Sequence, residues 1–158
     1  MSWTLTVNQE KHTLTEDKRL IDFLREDLGL TSVKDGCSEG ACGTCSVVVD
    51  GRLVKACIMK VSRFDGARIT TVEGLSAREK EVYVHSFAET GAVQCGFCTP
   101  GMVMAAKVLL DKNPQPSREE IARAITGNLC RCTGYKKIID AIEMAGHYFH
   151  TGKHVPVL

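Results

Sequence analysis

No run in this 158-residue sequence approaches the roughly 20 consecutive apolar residues that a membrane helix requires, so a membrane span is not expected. The amino terminus, MSWTLTVNQEKHTLTEDK, lacks the basic and apolar regions of a secretory leader, and the expected location is the cytoplasm. Charge of neither sign prevails: 20 Lys and Arg stand against 19 Asp and Glu, for a formal net charge of +1. That balance offers no electrostatic ground for nucleic acid or an anionic membrane as partner. There is no dinucleotide-binding glycine fingerprint for a nicotinamide or flavin and no phosphate-cradling P-loop. Internal repeats and low-complexity stretches are also absent. Eight cysteines make up about 5% of the chain, below the roughly 8–10% that marks a disulfide scaffold.

The order of elements reads as α+β, with strands first and helices after. In WTLTV, Trp3, Leu5 and Val7 alternate with threonines, the pattern of a half-buried strand, and a polar turn at Asn8–Glu10 leads into KHTLT. From Lys18 the period lengthens. Leu20, Ile21, Leu24 and Leu28 share one helical face, with Gly29 at the expected C-cap. CSVVVDGRLVKAC is a second hairpin, turned at Asp50–Gly51, and ARITTV (67–72) supplies a further strand. Beyond a boundary near 73–78, SAREKEVYVHSFAETG and SREEIARAITGN each open on a Ser-x-x-Glu capping box, at Ser76–Glu79 and Ser117–Glu120. Between them TPGMVMAAKVLLDKN is expected to use Thr99 as cap and Pro100 as first helical residue. A last helix covers about YKKIIDAIEMAGHYF.

The cysteines divide into two fours. Cys37, Cys42 and Cys45 follow the C-x4-C-x2-C spacing, and Cys57 lies on the second hairpin, as in plant-type ferredoxins that hold a [2Fe–2S] cluster. Gly36, Gly40 and Gly43 lack Cβ atoms, so backbone N–H groups can close on the sulfurs of a cluster carrying about −2 charge. Cys95, Cys98, Cys130 and Cys132 form the other four, in QCGFCTPG and GNLCRCTGY, each pair just ahead of a helix start where the dipole favours thiolate. Zinc remains the alternative at the first four, although paired knuckles are its habit, and a redox dithiol remains the alternative for CGFC. No histidine lies near either four in the sequence, which argues against a Rieske-type centre.

Taken together, GCSEGACGTCSVVVDG, GAVQCGFCTPGM and GNLCRCTGY resemble the signatures, in order, of the iron–sulfur subunit or domain of the molybdenum hydroxylases, the xanthine dehydrogenase and aldehyde oxidase family. The resemblance covers about residues 3–150. It implies a β-grasp ferredoxin-like domain over 1–75, an all-α four-helix-bundle domain over 76–150, and a tail or linker at 151–158. Each domain would hold one [2Fe–2S] cluster, with all eight cysteines as ligands. By the same resemblance Gln94 and Cys132 would lie against a molybdopterin bound by a large partner subunit, and electrons would leave toward a flavin, FAD on a further subunit being expected. No substrate site is expected on this chain.

Two other functions are open at this level. One is a free two-cluster ferredoxin, although the net charge falls only to about −3 once the thiolates and clusters are counted, where free plant-type ferredoxins resemble acidic carriers. The other is a zinc-stabilised interaction module. Met102, Met104, Leu109 and Leu110 read as core or partner contacts, and His147, His150 and His154 as a solvated helix end.

Overall fold

The computed structural model describes residues 1–156, so the last two positions of the expected tail lie outside the described residues. A five-stranded mixed sheet carries the first half. Strands β1 (Trp3–Val7), β2 (Glu10–Leu14), β3 (Ser46–Val49), β4 (Arg52–Lys55) and β5 (Arg68–Thr70) are ordered β2-β1-β5-β3-β4. The β1–β5 pair is parallel; the other pairs run antiparallel. As the alternation predicts, Leu5 and Val7 are buried while the threonines between and around them are not. Both hairpin turns take left-handed backbone, at Asn8 and Gln9 and at Asp50 and Gly51.

The helix expected from Lys18 differs. Only Leu20–Asp22 (α1) is α-helical, and Phe23–Asp27 continues as a wider π-type turn in which the Leu28 N–H donates to the Phe23 carbonyl at 3.2 Å. Leu20, Ile21, Phe23 and Leu24 are all buried, a broader apolar face than a 3.6-residue stripe presents, and the extra residue per turn accommodates it. Gly29 ends the segment at φ +67°, as expected.

Four helices follow: α2 (Ala77–Glu89), α3 (Thr99–Lys112), α4 (Arg118–Ala124) and α5 (Lys136–Thr151). Both capping boxes form. Three boundaries depart from the pattern. Cys98, not Thr99, occupies the cap position of α3, without a side-chain cap bond, and Pro100 is therefore second. α4 stops at Ala124 because the chain turns back on itself, the Asn128 N–H donating to the Ile125 carbonyl at 2.9 Å. α5 begins one residue later than expected, after Tyr135 at φ +71°.

β3 is the pivot of the architecture. All four of its residues are buried; Val47 and Val49 face the α1 side, whereas Val48 packs into the core of the helical half. That second core is built around Met102, Met104, Ile121, Ile138 and Ile142, so the two methionines are packing residues. His147 and His150 are exposed near the end of α5, and His154 is exposed just beyond it. No helix among the described residues is long and apolar enough to cross a membrane.

Candidate metal centres

The loop between α1 and β3 is shaped by backbone that only a few residues tolerate. Ser38, Gly40 and Gly43 have φ of +56°, +75° and +74°. The Asp35 carboxylate pins the Ser38 turn by accepting from its Oγ at 2.7 Å and its N–H at 2.8 Å, and the Ser38 hydroxyl is the leading reason that carboxyl lies below its usual range. Gly36 has no room for a side chain, since a Cβ there would lie 2.9 Å from Cys42 Sγ. Lys55 reaches across from β4 and donates to the Gly40 carbonyl at 2.7 Å.

Within this frame Cys37, Cys42, Cys45 and Cys57 converge. The Cys42 N–H donates to Cys37 Sγ at 3.4 Å, and with the Glu39 and Ala41 N–H groups it lowers the Cys37 thiol to about 7. Cys45 and Cys57 are 1% and 2% exposed. Burial, then contact with Cys45, pushes the Cys57 thiol up to about 12. Holding that buried sulfur as thiolate therefore demands compensating positive charge nearby. Thr44 Oγ1 lies 3.2 Å from Cys42 Sγ and donates to the Lys34 carbonyl at 3.1 Å.

The second four meet where the start of α3 faces the loop before α5. Cys98 lies against Cys130 and Cys132 against Cys95, so each sulfur of one pair finds a partner in the other. Burial, then Cys130, pushes Cys98 up to about 12. Burial also acts to raise Cys130, but the Thr133 hydroxyl at 3.1 Å and N–H at 3.4 Å both donate to its sulfur and leave it lowered on balance. The Cys130 N–H donates to the Tyr135 hydroxyl, and Tyr135, beside Gly134, has left-handed backbone. Cys95 and Cys132 are exposed. Gln94 lies beside them, its Nε2 donating to the Cys132 carbonyl at 3.2 Å. All eight cysteines are free thiols.

Both quartets suit a binuclear iron–sulfur group. Each offers four sulfurs and hydrogen bonds that point toward sulfur, and at the first quartet glycines leave space where side chains would intrude. Sequence reading identified the cysteines and glycines but missed the polar groups around them: Thr44 and Lys55, which bond the loop backbone, and Thr133 and Tyr135, which bond Cys130. Their signal was weak, a threonine one or two residues from a cysteine in GTC and CRCT.

A contact joins the two sites. The Leu129 N–H donates to the Cys42 carbonyl at 2.8 Å, and Leu129 is bonded directly to Cys130.

Residues 6–83 match the model of a 2Fe-2S iron-sulfur cluster binding domain, and residues 71–143 match the model of a [2Fe-2S] binding domain. The nicotinate dehydrogenase small FeS subunit of Eubacterium barkeri is 52% identical over 144 residues, which span 89% of this chain and 92% of that one. The chain belongs to the molybdenum hydroxylase family, as one of its iron–sulfur subunits. Among solved structures of the family, quinoline 2-oxidoreductase from Pseudomonas putida 86 has a chain that superposes with a TM-score of 0.87 at 41% identity, covering 96% of this chain and 97% of its own. The aldehyde oxidoreductase from Desulfovibrio gigas gives 0.90 at 43% identity over 97% of this chain, but that match is only 18% of its own length. The same iron–sulfur unit thus occurs both as a separate chain and as a segment of a longer molybdenum hydroxylase.

Proposed function

We propose that this chain is the electron-transfer subunit of a molybdenum hydroxylase, relaying electrons from a molybdopterin centre on a large partner subunit toward a flavin or other acceptor. It has no substrate site of its own. Cys37, Cys42, Cys45 and Cys57 hold one [2Fe–2S] cluster and Cys95, Cys98, Cys130 and Cys132 the other. The chemistry the clusters supply when bound is one-electron storage, which splits the electron pair left by substrate oxidation into single steps. The chain's own residues do the rest. N–H and hydroxyl donors, Thr133 foremost, stabilise negative charge on the sulfurs. The Cys42 carbonyl and Leu129 N–H bring the two quartets into bonded continuity, and this is the observation that carries the proposal.

The exposed rim of Gln94, Cys95 and Cys132 is the entry side, with Gln94 and Cys132 against the pterin. The FAD partner belongs on the side of the Cys37 loop. Residues 1–75 form a β-grasp domain and 76–150 a four-helix bundle, a division supported by the two hydrophobic cores on either side of β3. A reducing compartment, the cytoplasm, accords with eight unpaired thiols.

Anaerobic purification from the native host tests this. The expected material contains molybdenum on a co-purifying subunit, about four irons and as many labile sulfides per chain, and two distinct paramagnetic signals after dithionite. A lone monomer without molybdenum would instead make the chain a free carrier. Colourless protein containing zinc and no labile sulfide would make it a structural module.

A further inference from the structure

The seam between the two quartets contains one buried polar side chain that packing alone does not explain. Asn128 is 2% exposed; its Nδ2 donates to the Gly43 carbonyl at 3.0 Å, while its Oδ1 is buried without a partner. The Gly43 carbonyl is already served by the Ser46 hydroxyl at 2.7 Å and N–H at 3.1 Å, so Asn128 is a third donor rather than a needed one. An unpaired buried acceptor costs about 1–3 kcal/mol, a cost that an apolar side chain there would avoid. The backbone is nonetheless closed around this amide. A Cβ on Gly43 would lie 3.0 Å from Asn128 Cα and Nδ2, and one on Gly101 would lie 3.1 Å from Nδ2.

The next residue is what the amide holds in place. Two adjacent bonds, Asn128 Nδ2 to the Gly43 carbonyl and Leu129 N–H to the Cys42 carbonyl, clamp residues 128–129 onto 42–43 in register. Without the first, residue 128 keeps only its own N–H bond to the Ile125 carbonyl, at 2.9 Å, and the second loses the neighbour that sets its alignment on residues 42–43.

Resting on the two-cluster relay proposed above, the geometry points to Asn128 as a positioning residue for electron transfer between the two clusters, acting through the Leu129–Cys42 hydrogen bond. Its side chain donates to the Gly43 carbonyl and not to a sulfur, so the cluster potentials stay unchanged while the coupling between them falls.

The test uses the intact molybdenum-containing complex with Asn128→Leu. Iron content and paramagnetic resonance report loading, a redox titration gives both potentials, and pulse-radiolytic reduction gives the rate of equilibration between the clusters. The expected result is full loading, unchanged potentials and a rate lowered about tenfold or more, in the range that a ~1 Å misplacement of reacting groups produces. A wild-type rate, or a slowed rate that altered potentials account for, overturns the proposal. Should Asn128→Leu fail to load, the isosteric Asn128→Asp is read in the same assays, where a slowed rate at unchanged potentials supports the role and any other outcome overturns it. Failure of both variants to load also overturns it, since Asn128 is then a folding residue. Wild-type complex that lacks two paramagnetic signals defeats the relay reading itself, a result recognisable before any variant is made.

Discussion

Replacing Thr133 with valine removes one hydroxyl and almost no volume, and it should lower the reduction potential of one cluster alone. The hydroxyl donates its single hydrogen to Cys130 Sγ at 3.1 Å while its oxygen accepts from the Tyr135 N–H at 3.2 Å, so the donor is fixed in direction. A hydrogen bond to a charged acceptor is worth about 1.5–3 kcal/mol. If that energy scales with cluster charge, going from about −2 to about −3 adds half as much again on reduction, about 0.8–1.5 kcal/mol. At about 59 mV per tenfold for one electron, Thr133→Val should therefore lower the potential by roughly 30–65 mV. A titration followed by paramagnetic resonance resolves a shift of that size. Thr44→Val is the internal comparison. Its hydroxyl also lies near a cluster sulfur, but its hydrogen goes to the Lys34 carbonyl, so the other cluster should barely move. An unchanged or raised potential in loaded Thr133→Val protein would refute the reasoning, as would equal shifts in the two variants.

Cys130→Ser should abolish one cluster's signal, halve the iron to about two per chain and largely preserve the other signal; loss of both signals from folded protein would mean the ligands are wrongly divided. Gly43→Ala forces a Cβ into the left-handed region at a cost of about 1–2 kcal/mol, and adds collision with the Gly127 carbonyl and Asn128. Thermal unfolding of that variant should show a clear drop in Tm, whereas Gly29→Ala, with open space around it, should show only the backbone strain. In metal-free protein, alkylation of Cys37 should rise with pH around a midpoint near 7, because neighbouring N–H groups hold its thiol there, while Cys57 and Cys98, pushed up to about 12, should resist. Peptide mapping after a brief pulse of iodoacetamide at pH 7.5 reads the order directly.

The legible features were local. The Asp50–Gly51 turn, the Ser76–Glu79 and Ser117–Glu120 boxes and the cysteine spacings each depend on residues within a few positions of one another. The π-type turn at Phe23 was not legible, because the same apolar spacing fits a helical stripe and only burial against the sheet selects the wider turn. Nor was the cap of α3, where Cys98 takes the place assigned to Thr99: the thiol's position answers to Cys130, far along the chain. Strand alternation turns Val48 away from Val47 and Val49, but nothing nearby in the sequence shows that a second core waits on that face. Asn128 is the extreme case. Its partner, Gly43, lies 85 residues away, and a lone asparagine in GNLCRC carries no sign of it.

The near-total burial of Cys45 and Cys57 bears on how the subunit matures. Cys37 and Cys42 of the same quartet are only half-buried. The folded chain therefore offers an incoming cluster two sulfurs within reach of the surface and two beneath them.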